Sequence, residues 1–344
     1  MKKNIFLTLT SVLFSVLIAE FILRLLPYRG IRHTPNLKSK IQVKPNFLLI
    51  EDKTLGWKLG LKGVYQISYD SITLNKVTVD SLGNRWTGNT SKSNLPLVDI
   101  LGCSFTFGSS VDDSSSYPFQ LQKMMSFCQI QNKGVGGYSL LQMFLSLKKD
   151  VELGNVPKIA VFNYAHFHNE RTPLSKRWIR NLNFYNNLDN KSKFRVAKFN
   201  YPYAILDKNK ALTIKYIQKE NWPSDFWFRD KSYLVDIFNT IYDELYDKTQ
   251  EKYLEEISFW LVLEIKRYCS EHNIKLVFTG MTKKSEDFLS KISTQGIDTL
   301  FFDVDLSIPN MNLKPFDPDH PSPAAHKLYA QKLFNYLHFQ KGYL

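Results

Sequence analysis

Two short stretches of this 344-residue chain carry residues whose types and spacing suit nucleophilic chemistry. The first runs Leu97-Val-Asp-Ile-Leu-Gly-Cys-Ser-Phe-Thr-Phe-Gly108 and holds Ser104 directly after an apolar run that Gly102 ends. The second is Phe316-Asp317-Pro318-Asp319-His320-Pro321-Ser322-Pro323, which places Asp317 three residues before His320. A serine hydroxyl is a weak nucleophile unless a base takes its proton, and a histidine does so best when a carboxylate fixes its tautomer. Ser104, His320 and Asp317 supply those three roles, with Asp319 as a rival orienter of the imidazole. Either stretch alone is common and often inert. Their order, at the two ends of one α/β unit, points to acyl transfer.

The elements that must position them follow from periodicity. Leu95–Leu101, broken only by Pro96 and Asp99, reads as a buried strand, and Ser116-Tyr117-Pro118 opens a helix, because proline suits a first helical turn and serine caps it. Strand, serine turn and helix lift a hydroxyl to the C-terminal edge of a parallel sheet, where α/β proteins place their sites. Further strands are expected at Cys128–Asn132, Lys158–Tyr164, Lys275–Thr279 and Leu300–Val304. Helices are expected at Pro118–Met125, Ser139–Leu147, Glu251–Glu271, Ser285–Lys291 and from Ser322 to about Phe339. Strands alternating with helices argue for a parallel sheet covered on both faces.

At these residues the chain resembles the SGNH, or GDSL-type, hydrolases. Their first block corresponds to Gly102-Cys103-Ser104-Phe105-Thr106-Phe107-Gly108, their second to Asn132 through Gly137, and their last, Asp-x-x-His-Pro, to Asp317 through Pro321. The resemblance covers about residues 95–172 and 255–340. It implies a three-layer flavodoxin-like α/β fold and a catalytic Ser104, Asp317 and His320, with Asp317 preferred to Asp319 by spacing. It also implies an oxyanion hole from the backbone amides of Ser104 and Gly137. The third block is blurred: its strand ends in His166-Phe-His168-Asn169-Glu170-Arg171. Asn169 matches the family asparagine in one register. In the register of some membrane-attached relatives, His168 is the oxyanion residue and Arg171 a substrate contact. His166 reads as a structural neighbour and His326 as packing or surface. Cys103 stands where the family has aspartate, a position that supports the turn. A Cys103 nucleophile is the weaker rival, because the side chain precedes the turn serine.

The chain begins with Lys2-Lys3 and an apolar run from Ile5 to Ala19, interrupted by Glu20 and closed by Arg24-Leu-Leu-Pro27. Cleavage after Ala19 would put Leu17 where a small residue is wanted, so residues of about 4–26 read as an uncleaved signal-anchor with the body extracytoplasmic. The expected organisation is an anchor at 1–27, a β-rich lead-in at 28–92, and a hydrolase-like domain at 93–344 with an insertion at about 172–250. The lead-in either packs over the site or only spaces it from the membrane.

The net charge is +13, and between Arg171 and Glu220 twelve basic residues stand against three acids, interleaved with aromatics such as Trp178, Tyr185, Tyr201 and Tyr203. That segment reads equally as a substrate wall and as a solvated basic surface over a local core. No helix-turn-helix, zinc-finger or RNA-binding signature accompanies the charge, so nucleic acid is not an expected partner. Three cysteines make no disulfide framework, no Cys/His spacing suggests zinc, and no cofactor is expected. The leading expectation is an esterase removing O-acetyl or other acyl groups from envelope or extracellular carbohydrate. An O-acyltransferase fed by a separate acyl-donor protein, and a catalytically silent glycan- or partner-binding protein, are the alternatives.

Overall fold

The computed structural model describes residues 2–26, 41–45, 48–69, 72–88, 95–187, 200–218, 221–222, 226–229, 231–313 and 317–343. The expected boundaries at 27/28 and 92/93 lie outside them, as does 188–199 of the expected insertion. Helix α1 (Lys2–Leu25) projects from the body. Its segment Asn4–Leu25 is long and apolar enough to cross a membrane, and none of its most apolar window is buried.

Five short strands follow: β1 (Ile41–Lys44), β2 (Leu49–Asp52), β3 (Gly56–Leu59), β4 (Gly63–Tyr69) and β5 (Ile72–Val79). Strands β1, β4 and β5 form an antiparallel sheet in that order, and β2 pairs β3 as a hairpin. Along β5, Val77 and Val79 are buried while Lys76 between β5's inward residues is exposed, the period of a half-buried strand. Single bridges from Arg85 to Val79 and to Asn132 stitch this region to the edge of the main sheet.

The main sheet starts at β6 (Leu97–Gly102), followed by the one-turn α2 (Ser104–Phe107), α3 (Tyr117–Met124), β7 (Gln129–Gly134), α4 (Leu140–Glu152) and β8 (Ile159–Tyr164). After β8 come α5 (His168–Arg171), α6 (Lys176–Asn187), the hairpin β9 (Asn200–Leu206) and β10 (Leu212–Gln218), and the long α7 (Tyr233–Glu271). Then β11 (Lys275–Gly280), α8 (Glu286–Ser293) and β12 (Asp298–Phe301) complete the sheet. A small ribbon, β13 (Asn312–Leu313) with β14 (Asp317–Pro321), leads into α9 (Pro323–Asn335).

The sheet is parallel in the order β12-β11-β8-β6-β7. From β6 the chain steps out to β7 and then crosses back to β8, so the strand order reverses beside the C-terminal ends of β6 and β8. This is the flavodoxin-like order, and its switch point is where such sheets open a crevice. Every residue of β8 is buried, as a strand covered on both faces requires. Helices α3 and α9 pack together as one layer, and α4 packs on the second half of α7 as the other.

Two of the departures from the expected bounds have a plain physical reason. The last sheet strand is Asp298–Phe301, not Leu300–Val304, because Asp303 takes a left-handed φ of 46° and turns the chain away. Phe302 and Val304 are apolar for a different reason: both are buried, and Phe302 packs beneath Tyr117 and Tyr329. Helix α7 begins at Tyr233 rather than Glu251, and its extra turns bury polar residues.

Candidate active site

Strand β6 is buried from Val98 onward, and it ends at Gly102 because the chain folds straight back. A Cβ at Gly102 would lie 1.8 Å from Thr106 Oγ1, so only glycine lets α2 sit against the strand end. Ser104 is thereby the first residue of α2, half-buried at the C-terminal edge of the sheet, and Gly108 closes the turn with a φ of 81°. Cys103 is buried beside it.

Arg85 holds this loop from beneath. Its side chain is fully buried and donates to the carbonyls of Phe107 (2.6 Å), Gly108 (2.5 Å) and Val111 (2.6 Å), and to the Asp113 carboxylate (3.0 Å). Three loop carbonyls and a carboxylate satisfy one buried cation, which makes the turn rigid.

The neighbouring strand β7 ends in a second turn through Val135, Gly136 and Gly137, the last with a φ of 82°. The Trp57 indole donates to the Gly136 carbonyl at 3.0 Å, and the Tyr138 hydroxyl donates to the Trp57 carbonyl at 2.6 Å. A Cβ on Gly137 would come within 3.1 Å of the Trp57 ring. Strand β3 therefore packs directly against this glycine turn. Ser139 and Gln142 form a capping box that starts α4, and the Gln142 amide reaches back to the Leu55 carbonyl at 2.7 Å.

The third turn follows β8. The His168 Nδ1 accepts the Ala165 amide at 3.0 Å, so the neutral ring carries its hydrogen on Nε2, which has no hydrogen-bond partner among the described residues. His168 is fully buried, and burial first, then Arg171 and His166, pushes its pKa well below the ordinary value. Burial raises the pKa of the Tyr164 hydroxyl, and the side-chain oxygen of Asn169 is buried with no hydrogen-bond partner among the described residues. Arg171 stands with its guanidinium over Phe167 (4.2 Å) and Trp178 (4.5 Å), donating to the Tyr138 carbonyl at 3.3 Å beside Gly137. His166 meets the Thr282 hydroxyl at 3.2 Å, and burial with nearby Lys284, Arg177 and Arg171 lowers it to about 4.

His320 sits near the end of β14, half-buried, with its ring 5.6 Å from that of Phe105, the residue after Ser104. Phe105 in turn lies 5.8 Å from Phe167. Ser104, the Gly137 turn, Arg171 and His320 thus gather at one end of the sheet around two phenylalanine rings. Asp317 opens β14, and its side chain lies outside the described residues; Asp319 is exposed. His326 is packing: it is fully buried, stacks on Tyr117, accepts the Tyr117 amide at 3.3 Å, and burial lowers it to about 3.

Trp178 and Tyr201 belong to a local core, not a substrate wall. Both are buried, the Trp178 indole donates to the Tyr201 hydroxyl at 2.8 Å, and Trp57 packs on Tyr201 at 5.7 Å. Among the described residues no group of His, Cys, Asp and Glu is placed to hold a metal ion. A groove of about 590 Å³ opens at the opposite edge of the sheet, lined by Leu97, Gln129, Lys158 and Asn273 among others, remote from Ser104. Nothing in the sequence alone points to Arg85, Trp57 or Phe167 as parts of the site. Arg85 carries no signal of its own, since its role exists only once β6, β7 and the loop after α2 are folded around it.

No family model matches the chain, and no curated protein does. Among solved structures it is similar to TesA (11 % identity, TM-score 0.41, covering 72 % of this chain and 99 % of that one). It is similar also to the psychrotrophic esterase EstA from Pseudoalteromonas sp. (11 %, 0.37, 70 % and 95 %). A third is a GDSL-like lipase from Bacteroides thetaiotaomicron (11 %, 0.34, 71 % and 89 %). Likenesses this remote carry no activity across to this chain.

Proposed function

We propose that the protein is an SGNH-type serine esterase, attached to a membrane by α1, that removes O-acetyl or other acyl groups from envelope or extracellular carbohydrate. The observation that carries this reading is the placement of Ser104 at the head of β6, with the His320 imidazole across the Phe105 ring. In this mechanism the Ser104 hydroxyl attacks the ester carbonyl while His320 takes its proton. His320 then returns that proton to the leaving sugar hydroxyl, and a water activated by the same ring releases the acid. Asp317 orients the imidazole and stabilises its charged form.

The amides of Ser104 and Gly137 receive the developing oxyanion, where preorganised donors contribute most. For the third donor His168 is favoured, because its tautomer leaves on Nε2 an N–H with no partner among the described residues. Arg171, clamped between two rings beside the glycine turn, contacts the substrate and suits an acidic sugar or a polarised acyl oxygen.

The test is turnover of p-nitrophenyl acetate by the full chain in detergent, beside Ser104→Ala. Release of p-nitrophenol that is abolished in the variant is the expected result, with acetylated glycans as the next substrates. An acetyl adduct on Ser104 that forms and persists would replace hydrolysis by transfer to an alcohol acceptor. The absence of both turnover and adduct would overturn the proposal.

A further inference from the structure

The first half of α7 is built inside out. Between Tyr233 and Tyr253 the buried residues are Asp236, Asn239, Asp243 and Asp247, at helical spacing. Phe238, Ile241, Tyr242, Leu245 and Tyr246 occupy the opposite face, and Phe238 and Leu245 are each 59 % exposed. A surface helix in water arranges these faces the other way.

The inward polar face is what holds the helix to the body. Buried Arg229 pairs with Asp236 at 2.7 Å and with Asp243 at 3.7 Å, and buried Arg180 reaches Asp243 at 3.4 Å. Asp247 accepts the amides of Lys176 (3.3 Å) and Arg177 (2.7 Å) at the start of α6. The outward apolar face has no such structural duty. Just before the helix, the turn of Phe226, Trp227 and Phe228 adds three more exposed rings, Trp227 at 87 %.

This surface begins where α1 ends. The Glu20 carboxylate accepts from the Ser232 hydroxyl (2.8 Å) and from the amides of Tyr233 (3.1 Å) and Leu234 (3.0 Å), capping α7. Arg24 donates to the Lys231 carbonyl at 2.7 Å and lies 5.5 Å over the Tyr233 ring. The two charges that interrupt the apolar run of α1 thus tie its end to the start of the inverted helix. Cations also rim the outward face: the Lys176 ammonium stands 4.3 and 4.1 Å over Tyr242 and Tyr246, and that of Lys231 5.9 Å over Phe228. Aromatic rings with lysines snorkelling beside them are the arrangement that suits a water–lipid boundary.

We propose that the turn Phe226–Phe228 and the outward face of the first half of α7 lie in the interface of a lipid bilayer, with anionic headgroups against Lys176 and Lys231. The location rests on the reading of α1 as an anchor. The proposal goes beyond it by giving the body a second attachment and therefore a fixed orientation over the membrane.

The test uses the full chain reconstituted in vesicles of phosphatidylethanolamine and phosphatidylglycerol. The three native cysteines are buried, so nitroxide labels go on Phe238→Cys, Leu245→Cys, Phe14→Cys in α1 and Leu153→Cys, an exposed position at the end of α4. Collisions are measured with oxygen, which concentrates in lipid, and with a water-soluble nickel complex. Labels at 238 and 245 are expected to lose nickel collisions and gain oxygen collisions relative to 153, as the label at 14 does. If 238 and 245 behave like 153 while 14 reads as lipid, the interfacial surface is overturned and the anchor stands. If 14 also reads as water, the anchor reading fails with it. Loss of both kinds of collision at 238 and 245, with dipolar broadening between labels, would mean that a second copy covers the face, and would overturn the bilayer.

Discussion

The two halves of α7 meet the protein with opposite chemistry. From Leu254 onward the helix buries Leu254, Ile257, Leu261, Val262 and Ile265 against the sheet and exposes charged residues such as Arg267 and Glu271. In its first half it buries carboxylates and turns phenylalanine, isoleucine and leucine outward. The second half obeys the rule for a helix between a core and water, and it backs the sheet whose edge carries Ser104. The first half reverses that rule, with polar side chains against the body and apolar ones outward. The difference teaches that one continuous helix carries two kinds of inward face, a polar seam that joins its first half to the body and an apolar one that joins its second.

The largest effect should come from placing the same charge on each half. Ile257→Asp, fully buried among apolar neighbours, is expected to cost several kcal/mol and abolish accumulation of folded protein. Phe238→Asp should leave the thermal midpoint in detergent nearly unchanged. Circular dichroism melts check both, and equal damage from the two would break the comparison.

Next in size is the inward face of the first half. Arg229→Met strands Asp236 without its buried cation, while Asp243 keeps Arg180 at 3.4 Å, and a loss of about 3–5 kcal/mol is expected by denaturant unfolding. A loss below about 1 kcal/mol would mean that the polar face does not hold the helix to the body.

These contrasts bear on what the residues could announce by themselves. The turn at Ser104 was legible because apolar run, glycine and serine are adjacent in sequence, and local order decides that geometry. The Ser322-Pro323 helix start was legible for the same reason, whereas Gly137 was singled out only by the resemblance of Asn132 through Gly137 to a family block. The start of α7 was not, because periodicity locates a buried apolar face and the first half buries a polar one. Arg85 was invisible because its partners come from carbonyls at 107, 108 and 111, which only the folded loop brings to it. Trp178 and Tyr201 looked equally like a substrate wall and a core, since composition does not tell which side of a ring meets solvent.

Acid should sharpen the contrast from the side of the sheet-bound body. His326 and His168 are buried neutral with pKa values pulled below the ordinary 6.5, and His166 is lowered to about 4. The unfolded chain therefore binds protons first. Stability from these groups is complete above pH 6.5 and falls with pH toward 4 and below. For fully buried His326, whose own value is about 3, the slope is about 1.4 kcal/mol per pH unit. Thermal melts between pH 7 and 4 should fall, and His326→Phe should flatten part of the slope.

The smallest effect has the opposite sign. Asp99 in β6 is fully buried, 4.0 Å from Lys133, with neither oxygen hydrogen-bonded among the described residues, and burial raises it to about 7. A raised carboxyl contributes its stability below the unfolded value of 3.8 and loses it as pH rises through 7. Asp99→Asn should raise the thermal midpoint most at pH 8, less at pH 5, and leave it unchanged only below pH 3.8. Lys133 keeps its partner Asp150 at 2.6 Å in either case.

The central claim is that the site at the head of β6 activates Ser104. The most direct measurement is labelling of the full chain in membranes with a fluorophosphonate probe, followed by peptide mass mapping, beside His320→Ala. The account predicts a single adduct on Ser104 that forms in the unaltered chain and is lost when His320 is removed. An adduct on another residue, or labelling of Ser104 that does not depend on His320, would contradict it.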